Sequence, residues 1–396
     1  MTPGARVQAA IELLDAIILA ARDQGASADV LIARYFAGRR YAGSKDRRAV
    51  RELVYAAIRM LGDRPVSGRT AMLALADSDP ALAATFGSGG HAPAAREAHE
   101  VPATPGVLPE WLAQRMTDSG VGADVQASLL DRAPLDIRVN PLRSDVGAVL
   151  AAFPEAAGID GLPNGLRLPA DTRVDPNPLY EAGAFEIQDA GSQWVTLASG
   201  VAPGMAVIDL CAGGGGKTLA LAAMMAGEGR IIASDTDRAR LSRLAPRAAR
   251  AGVTGIEPVL INPMREAEGL AEWHGRADHV LIDAPCSGTG TWRRNPEARW
   301  RLTPDRLVRL AETQQRLLGV AARLVRPGGT LTYIVCSLLD AEGRDQAEAF
   351  LAAHPDWTAV DRPIPIGTPH GPGLRLDPAT HSTDGFFVVT MAAKAN

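Results

Sequence analysis

The chain has 396 residues, more than one ordinary domain needs, and 46% of them are apolar, as in typical soluble proteins. The formal net charge of −4 excludes a uniformly basic nucleic-acid-binding protein, so any such surface must be local. Three sparse cysteines predict no disulfide framework. Apolar runs stay shorter than the roughly 18 residues of a membrane span, and a signal-peptide pattern is missing. We therefore expect a cytoplasmic protein with no membrane partner.

The first 70 residues are predicted to form an all-α domain. Apolar residues recur at helical spacing in two stretches, one beginning at Val7 and the other at Val50. Between them, residues 34–51 hold seven Lys or Arg, one Asp and three aromatic residues. This composition fits an RNA-facing surface, and a solvated basic helix face explains it equally well. The predicted RNA contacts are Arg39, Arg40, Arg47 and Arg48. The order Lys-Asp-Arg-Arg at 45–48, before an apolar helix, resembles the NusB-like RNA-binding domain.

The next segment, residues 71–107, is predicted to be a linker. It is rich in Ala, Gly, Pro and Ser, which interrupt regular structure. One weak helix at about residues 70–85 is the only element expected there.

A small α+β module is predicted over residues 108–170. Pro109 opens a helical pattern, and residues 135–140 alternate between apolar and polar as in a strand. Arg138 and Asn140 fall on the same face of that strand because side chains alternate along it. We expect both to contact phosphate or base of RNA.

From residue 203 onward, apolar strands alternate with helical stretches, a pattern typical of a parallel sheet with right-handed crossovers. The predicted strands lie at 205–210, 231–234, 280–282 and 330–335. Residues 171–396 are therefore predicted to form an α/β domain.

A glycine-rich turn follows the first of these strands. It contains Cys211, Ala212, Gly213, Gly214, Gly215 and Gly216, followed by Lys217 and Thr218. A P-loop requires Gly-x4-Gly-Lys-Ser/Thr, and Cys211 stands where its first glycine belongs, which argues against a nucleoside triphosphate. Asp235 ends the second strand about 20 residues later, where an acid can hold a ribose. S-adenosylmethionine carries adenosine without phosphates, so this pattern favours it as the cofactor.

Residues 278–301 combine an acid, a thiol and a cationic aromatic segment. The strand at 280–282 ends in Asp283, and Pro and Gly residues hold Cys286 on the following turn. Open α/β sheets bind ligands at such strand ends. The aromatic and basic residues downstream suggest a polyanion with stackable rings, and the predicted RNA contacts are Arg293, Arg294 and Arg299. The alternative is an acidic strand end, a structural cysteine and a basic surface loop.

A second thiol, Cys336, also stands just beyond a strand end. A thiolate that adds to carbon 6 of cytosine makes carbon 5 nucleophilic enough to take up a methyl group. Asp283 is suited to offset the charge on the ring near N3, and a base must then remove the carbon 5 proton. Two cysteines can divide entry and exit. Lys217 is the side chain expected to favour the thiolate.

Residues from about 108 to 390 resemble the NOL1/NOP2/Sun family of RNA cytosine-5 methyltransferases. The motifs that carry the resemblance are the runs at 183–189, 209–212, 283–290, 333–337 and 384–387. The resemblance implies a Rossmann-like methyltransferase fold at 171–396 that depends on S-adenosylmethionine. It also implies RNA as the partner, with bacterial small-subunit ribosomal RNA as the expected substrate.

The same resemblance implies roles for individual residues. Cys336 is the expected nucleophile, Cys286 assists product release, and Asp283 contacts both the cytosine and the cofactor. The turn from Cys211 to Lys217 holds the cofactor together with Asp235. Two departures concern its affinity: the family usually has Ala-Pro at Gly213-Gly214, and the uncharged Asn262 replaces the acid expected after the third strand. We expect a monomer without a metal ion.

Three other interpretations remain open. The substrate could be transfer RNA instead of ribosomal RNA. The chain could also be a non-catalytic RNA-binding protein of the antitermination type, although the acid and both thiols are intact. A DNA cytosine methyltransferase would use Cys286 as its nucleophile and leave Cys336 dispensable.

Overall fold

The computed structural model describes residues 1–23, 25–174, 177–361 and 364–395. The predicted domains at 1–70 and 171–396 therefore include positions outside the described residues, namely 24, 175, 176, 362, 363 and 396. The chain divides into two compact units. The helical unit consists of Met1–Asp131 and Thr291–Thr303, and the sheet unit consists of Arg132–Gly290 and Pro304–Asn396.

The helical unit confirms the predicted all-α character of the N-terminal residues. Its helices are α1 (Pro3–Arg22), α2 (Ala28–Ala37), α3 (Ser44–Met60), α4 (Gly68–Asp77), α5 (Pro80–Ala83), α6 (Glu110–Asp118) and α7 (Ala123–Ser128), with a 3-10 helix at Pro296–Arg301. Fully buried residues at helical spacing, such as Leu14, Ile17 and Ile58, form its core. The side chain of Thr2 accepts a hydrogen bond from the Ala5 amide and so caps α1.

The structure corrects the predicted linker at 71–107 and has two helices where one weak helix was expected at about residues 70–85. Residues up to 83 form α4 and α5, and the buried side chain of Met72 lies in the core of the helical unit. The Ala-rich composition suggested low complexity, but small residues here let two helices approach closely. A Cβ added at Gly68 would lie 2.2 Å from the Ile11 carbonyl oxygen of α1. The later residues are also tied down, since the Ala103 amide donates to the Thr70 carbonyl at 3.0 Å.

The sheet unit begins with a small antiparallel sheet. Its strands are β1 (Leu135–Val139), β2 (Ala157–Gly158), β3 (Gly165–Leu168) and β4 (Phe185–Ile187), in the order β2-β3-β1-β4, and α8 (Val146–Ala152) and α9 (Pro178–Glu181) belong to the same part of the chain. The predicted α+β module at 108–170 therefore has different boundaries. Residues 108–131 belong to the helical unit, and β4 completes the small sheet beyond residue 170.

The large sheet confirms the predicted α/β domain. Its strands are β5 (Ala206–Asp209), β6 (Arg230–Asp235), β7 (Ile256–Leu260), β8 (Ala277–Asp283), β9 (Val325–Val335), β10 (Trp357–Val360), β11 (Thr368–His370), β12 (Gly373–Leu376) and β13 (Phe386–Ala393). Along the described chain their order is β11-β12-β13-β9-β8-β5-β6-β7, with β10 paired to β13. The helices of this region are α10 (Ala190–Leu197), α11 (Gly216–Met224), α12 (Arg238–Leu241), α13 (Leu244–Ala251), α14 (Glu266–Gly269), α15 (Pro304–Leu324), α16 (Arg344–Ala353) and α17 (Pro378–His381), with 3-10 helices at Ala271–Trp273 and Thr289–Thr291.

The strand order reverses at β5, which has parallel neighbours on both sides. β6 follows β5 on one side, and β8 returns to pair with β5 on the other. Ligands of open α/β sheets bind beyond the carboxyl ends of strands at such a switch point. The turns after β5, β6, β8 and β9 therefore define the place to look for a site.

Two further findings concern the described residues as a whole. None of their helices combines the length and the apolar character that crossing a membrane requires. The same residues contain no group of three or more His, Cys, Asp or Glu side chains able to hold a metal ion.

Candidate active site

The glycine turn after β5 depends on backbone conformations that favour glycine. Gly213 and Gly215 have φ of +54° and +86°, in the left-handed region. A Cβ at Gly213 would lie 2.5 Å from Arg240 Nη2, and one at Gly215 would lie 2.2 Å from Leu244 Cδ1. Beside Gly216, at the first turn of α11, a Cβ would meet no described atom within 4 Å. The turn thus packs tightly on one side and leaves open space at the start of a helix.

The other predicted residues of this turn are held by the sheet. The Ala212 amide donates to the Ser234 carbonyl at 2.9 Å, and the Gly214 carbonyl accepts from Arg247 Nη1 at 2.6 Å. Cys211 is half-buried, and burial together with the nearby carboxylates raises the pKa of its thiol well above the usual value. The Cys211 thiol is therefore neutral, and it lines the site without acting as a nucleophile.

The Asp235 carboxylate lies against the glycine turn at the end of β6. Its Oδ2 accepts from the Gly213 amide at 2.7 Å, and its Oδ1 accepts from the Asp237 amide at 2.7 Å. Asn262 follows the adjacent strand β7 and is exposed; the Ile261 amide donates to the Asp235 carbonyl at 3.1 Å. The structure thus brings the predicted ribose acid and Asn262 to neighbouring strand ends.

Asp209 is a buried carboxyl group that the sequence did not single out beyond its motif. Thr218 Oγ1 donates to its Oδ2 at 2.6 Å and links the end of β5 to α11. Burial raises the pKa of Asp209 to about 7, and the carboxylates of Asp283 and Asp235 act in the same direction. A negative charge on Asp209, beneath the glycine turn, is therefore unfavourable.

Lys217 and Asp283 form an ion pair across two strand ends. Lys217 Nζ donates to Asp283 Oδ2 at 2.7 Å, and the two side chains are 10% and 33% exposed. Burial alone would lower the pKa of Lys217, but Asp283 and, to a smaller extent, Cys336 outweigh it, so the pKa is raised. Lys217 is therefore a fixed positive charge beside a partly accessible carboxylate.

The two predicted thiols meet at the carboxyl ends of adjacent parallel strands. Cys286 follows β8, Cys336 follows β9, and their Sγ atoms are 3.4 Å apart. The Gly290 amide donates to the Cys336 carbonyl at 3.0 Å and closes one loop on the other. The hydrogen bond with Cys336, then burial, raises the pKa of Cys286 well above its usual value. Cys286 is therefore a protonated thiol.

Sequence reasoning missed a buried polar group beneath these thiols. Glu342 has no exposed surface, and its carboxylate accepts hydrogen bonds from Ser287 and Ser337. The repeated Cys-Ser pair at 286–287 and 336–337 was a signal that could have identified both serines. Glu342 lies on the loop before α16, where no periodic pattern marks it.

The structure corrects the prediction that Arg138 and Asn140 face RNA. Arg138 is buried, its Nε donates to Gln188 Oε1 at 2.7 Å, and burial lowers its pKa to about 10. Asn140 Nδ2 donates to the carbonyls of Gly183 and Ala251, at 3.0 and 2.9 Å. The strand alternation was right, but this face points into the fold.

We expect Asn140→Ala to destabilise the sheet unit by about 2 kcal/mol. The substitution leaves two buried carbonyl groups without their donor, and each such loss costs roughly 1–3 kcal/mol before relaxation. Urea denaturation of the variant and its parent measures the difference. Asn262→Ala, which removes an exposed amide of the same unit, serves as the control and should leave the midpoint unchanged. If Asn140→Ala instead lowered RNA affinity at unchanged stability, Asn140 would have to be assigned to an RNA-binding surface.

Arg299 is also corrected, because it is fully buried in the helical unit. Its guanidinium donates to the carbonyls of Ile58 and Leu61, at 2.6 and 2.7 Å. These carbonyls lie at the C-terminal end of α3, where helices leave acceptors unpaired. Burial lowers the pKa of Arg299 to about 9. Of the other two predicted arginines in this segment, Arg293 is buried and Arg294 is half-buried.

The basic segment of the helical unit keeps its predicted position on the surface. Arg40, Arg47 and Arg48 are exposed, and Arg39 is half-buried. Arg39 stacks on the Tyr35 ring, with 3.5 Å between its guanidinium carbon and the ring centroid. Arg47 donates to the Ala42 carbonyl and Arg48 to Glu52. Their predicted contact with RNA stays a prediction.

Chemically, the sheet unit places four functions within one set of strand-end turns. It offers open space at a glycine turn, an anchored carboxylate, a charged Lys–Asp pair and two thiols in contact. This set suits covalent catalysis, because one thiol can add to a ring while the acid stabilises the charge that develops.

Comparison with known proteins finds one matching family and several similar proteins. The family described as 16S rRNA methyltransferase RsmB/F matches residues 199–392. A protein of Synechocystis sp. named probable ribosomal RNA small subunit methyltransferase B is 35% identical over 302 residues, which cover 72% of this chain and 66% of that protein. The Xylella fastidiosa protein named ribosomal RNA small subunit methyltransferase B is 36% identical, with 74% and 70% covered. The chain thus spans somewhat less than two thirds of the Synechocystis relative.

A solved structure shows the same fold. The crystal structure of NSun6 from Pyrococcus horikoshii superimposes with a TM-score of 0.66 at 18% sequence identity. The match covers 73% of this chain and 99% of that one.

Proposed function

The chain belongs to the RsmB/F family of 16S rRNA methyltransferases, and from this premise we propose that it methylates carbon 5 of a cytosine in ribosomal RNA, with S-adenosylmethionine as the methyl donor. The pair of thiols 3.4 Å apart beside the Lys217–Asp283 ion pair carries the proposal. A methyltransferase that acts on a nucleophilic oxygen or nitrogen has no use for two cysteines in contact. Carbon 5 of cytosine needs a thiolate before it can react.

The residues around the glycine turn fit S-adenosylmethionine. The open space beside Gly216 lies at the first turn of α11, and the Asp235 carboxylate is held at the end of β6 by two backbone amides. An acid in this place is suited to ribose hydroxyl groups. Asn262 at the neighbouring strand end offers an uncharged amide for the adenine. When bound, S-adenosylmethionine supplies an electrophilic methyl group on a sulfonium centre.

The thiols divide the reaction between them. Cys336, beside the positive charge of Lys217, adds as a thiolate to carbon 6, and the ring electrons move toward carbon 5. The addition leaves negative charge on the ring, which a proton on N3 neutralises, and Asp283 is the group proposed to hold that N3 proton, with Lys217 as its fixed partner. After methylation a base removes the carbon 5 proton, the double bond between carbons 5 and 6 re-forms, and Cys336 leaves carbon 6 as a thiolate. Cys286 lies 3.4 Å from it and stays protonated because its pKa is raised, so it can donate a proton to the departing sulfur.

We expect Asp235→Ala to weaken the binding of S-adenosylmethionine by roughly tenfold or more, because hydrogen bonds to a charged group contribute about 1.5–3 kcal/mol. Affinity for RNA should stay the same. Isothermal calorimetry on the folded variant measures the change. Glu257→Ala removes a half-buried carboxylate on neighbouring β7 that pairs with Arg230, and this variant should bind the cofactor like the parent. Equal affinity for both variants would remove Asp235 from the cofactor site.

The substrate is tested by methyl transfer to three purified acceptors: small-subunit ribosomal RNA, transfer RNA and duplex DNA. We expect transfer to ribosomal RNA, with 5-methylcytosine as the product found by bisulfite sequencing. Methylation of transfer RNA would change the assigned substrate from ribosomal RNA to transfer RNA. Methylation of DNA would favour Cys286 as the nucleophile. Binding of ribosomal RNA without transfer to any acceptor would favour the non-catalytic interpretation.

A further inference from the structure

A single buried carboxylate connects the loops that carry the two thiols. Glu342 has no exposed surface. Its Oε1 accepts from the Ser287 amide at 2.8 Å and from Gln314 Nε2 at 3.2 Å. Its Oε2 accepts from the hydroxyl of Ser337 at 2.6 Å and from the hydroxyl of Ser287. A carboxylate has about four acceptor positions, so every one of them is used.

The donors of this network are the immediate neighbours of the thiols in the chain. Ser287 follows Cys286, and Ser337 follows Cys336. Gln314 reaches from α15 and also donates to the carbonyl of Pro285 at 2.9 Å, just before the first thiol. The network therefore fixes the backbone on both sides of Cys286 and directly after Cys336.

Resting on the proposed function, we propose that Glu342 is a positioning residue that holds Cys286 and Cys336 in register for their separate steps through its hydrogen bonds to Ser287 and Ser337. Its reach explains why the Sγ atoms of residues from two different strands stay 3.4 Å apart. Besides the hydrogen bond from the Gly290 amide to the Cys336 carbonyl, this network is a second connection between the two loops, and a displacement of about 1 Å at a reacting group can cost about 100-fold in rate.

The charge of Glu342 adds a second effect. Among the causes that raise the pKa of Cys286, Glu342 contributes after the hydrogen bond with Cys336, burial and the charge of Cys336 itself. The negative charge of Glu342 thus acts in the same direction as burial and favours the thiol form at Cys286.

Glu342→Gln separates charge from shape. The amide keeps the volume, but its NH2 group donates where the carboxylate accepted from the hydroxyls of Ser287 and Ser337, so the connection between the two loops is weakened. We expect kcat for methyl transfer to fall by about 100-fold with KM for RNA and cofactor affinity unchanged. Glu266→Gln is the matched control, because Glu266 is a buried carboxylate of the same unit that binds Arg316 at 3.0 Å. The control should keep kcat.

A second measurement needs no RNA and thus stands apart from the proposed function. The rate at which iodoacetamide alkylates Cys286 is followed against pH in a Cys336→Ala background, with and without Glu342→Gln. Removing the negative charge should move the midpoint to lower pH. Glu266→Gln should leave it unchanged.

The outcomes are distinguishable. An unchanged midpoint together with an unchanged kcat would overturn the positioning role. A shifted midpoint in a protein that transfers no methyl group to any RNA would support the effect of Glu342 on Cys286 and reject the proposed function. Should Glu342→Gln fail to fold, Ser337→Ala and Ser287→Ala each remove one donor and leave the carboxylate in place. Both are then expected to lower kcat at constant KM, and full activity in both would overturn the proposal.

Discussion

Cys336→Ala is expected to abolish methyl transfer, by more than about 10⁴-fold, while RNA and cofactor still bind. Loss of a covalent nucleophile removes the reaction path rather than one stabilising contact. Cys286→Ala is expected to methylate once and then stall, because the exit step loses its thiol. The stalled enzyme keeps the RNA attached through Cys336.

Denaturing electrophoresis with labelled RNA measures this difference. A protein–RNA band that survives denaturation should appear with Cys286→Ala and be absent with Cys336→Ala. The double variant is the control and should give no band. The DNA-type interpretation predicts the reverse, with Cys286→Ala inactive without an adduct and Cys336→Ala close to normal. An adduct formed by Cys336→Ala would contradict the assignment of the nucleophile.

The sequence predicted the strand-end residues well because backbone rules are local. Gly and Pro residues stop a strand in any surroundings, so the places of Asp283 and Cys286 could be read from the chain. The contact between Cys286 and Cys336 also follows, since the carboxyl ends of parallel neighbours share one edge of the sheet. Their separation of 3.4 Å did not follow, because in our proposal it depends on Glu342 and Gln314, which come from two other segments.

Buried polar residues were the main failure of prediction from sequence. Arg138 was assigned to RNA because it shares a strand face with Asn140, and Arg299 because it lies in a basic and aromatic segment; both are buried, which is rare for an arginine that is not paired. In the structure they satisfy a glutamine oxygen and the carbonyls at the end of α3. These acceptors lie 50 and about 240 residues away in the chain, so local composition holds no trace of them. A long separation in the chain also hid the role of Glu342, whose partner Ser287 lies 55 residues away.

The segment at 71–83 was rightly expected to contain a helix, but its assignment to a linker was wrong for a different reason. Its many alanines signal low complexity in a chain read alone, whereas alanine is also the best helix former. Only the neighbouring helix decides between the two. That neighbouring helix is α1, because the backbone of Gly68 lies against the Ile11 carbonyl of α1.

Lys217→Met should lower kcat by about 10²–10³, the usual cost of removing one preorganised stabilising charge. Lys217 Nζ lies 2.7 Å from Asp283 Oδ2, and the methionine keeps most of its length and apolar contacts. Asp283 then loses the partner that fixes it toward the ring. The Asp283 side chain is 33% exposed, so water can replace part of the ion pair. The free energy of unfolding should therefore fall by about 1–3 kcal/mol, less than for a fully buried pair.

Single-turnover transfer at saturating RNA and cofactor measures the chemical step of Lys217→Met, with Lys394→Met as the control. Lys394 is an exposed lysine of the same unit, and its replacement should leave the rate unchanged. The raised pKa of Lys217 fixes the pH dependence. The ion pair is fully formed at neutral pH, and its contribution to stability is lost only as pH rises above the ordinary lysine value of about 10.4. The stability difference between parent and variant should therefore be constant from pH 7 to pH 9. A difference that disappears within this range would show that Lys217 is neutral in the folded protein, and the electrostatic role assigned to it would then be wrong.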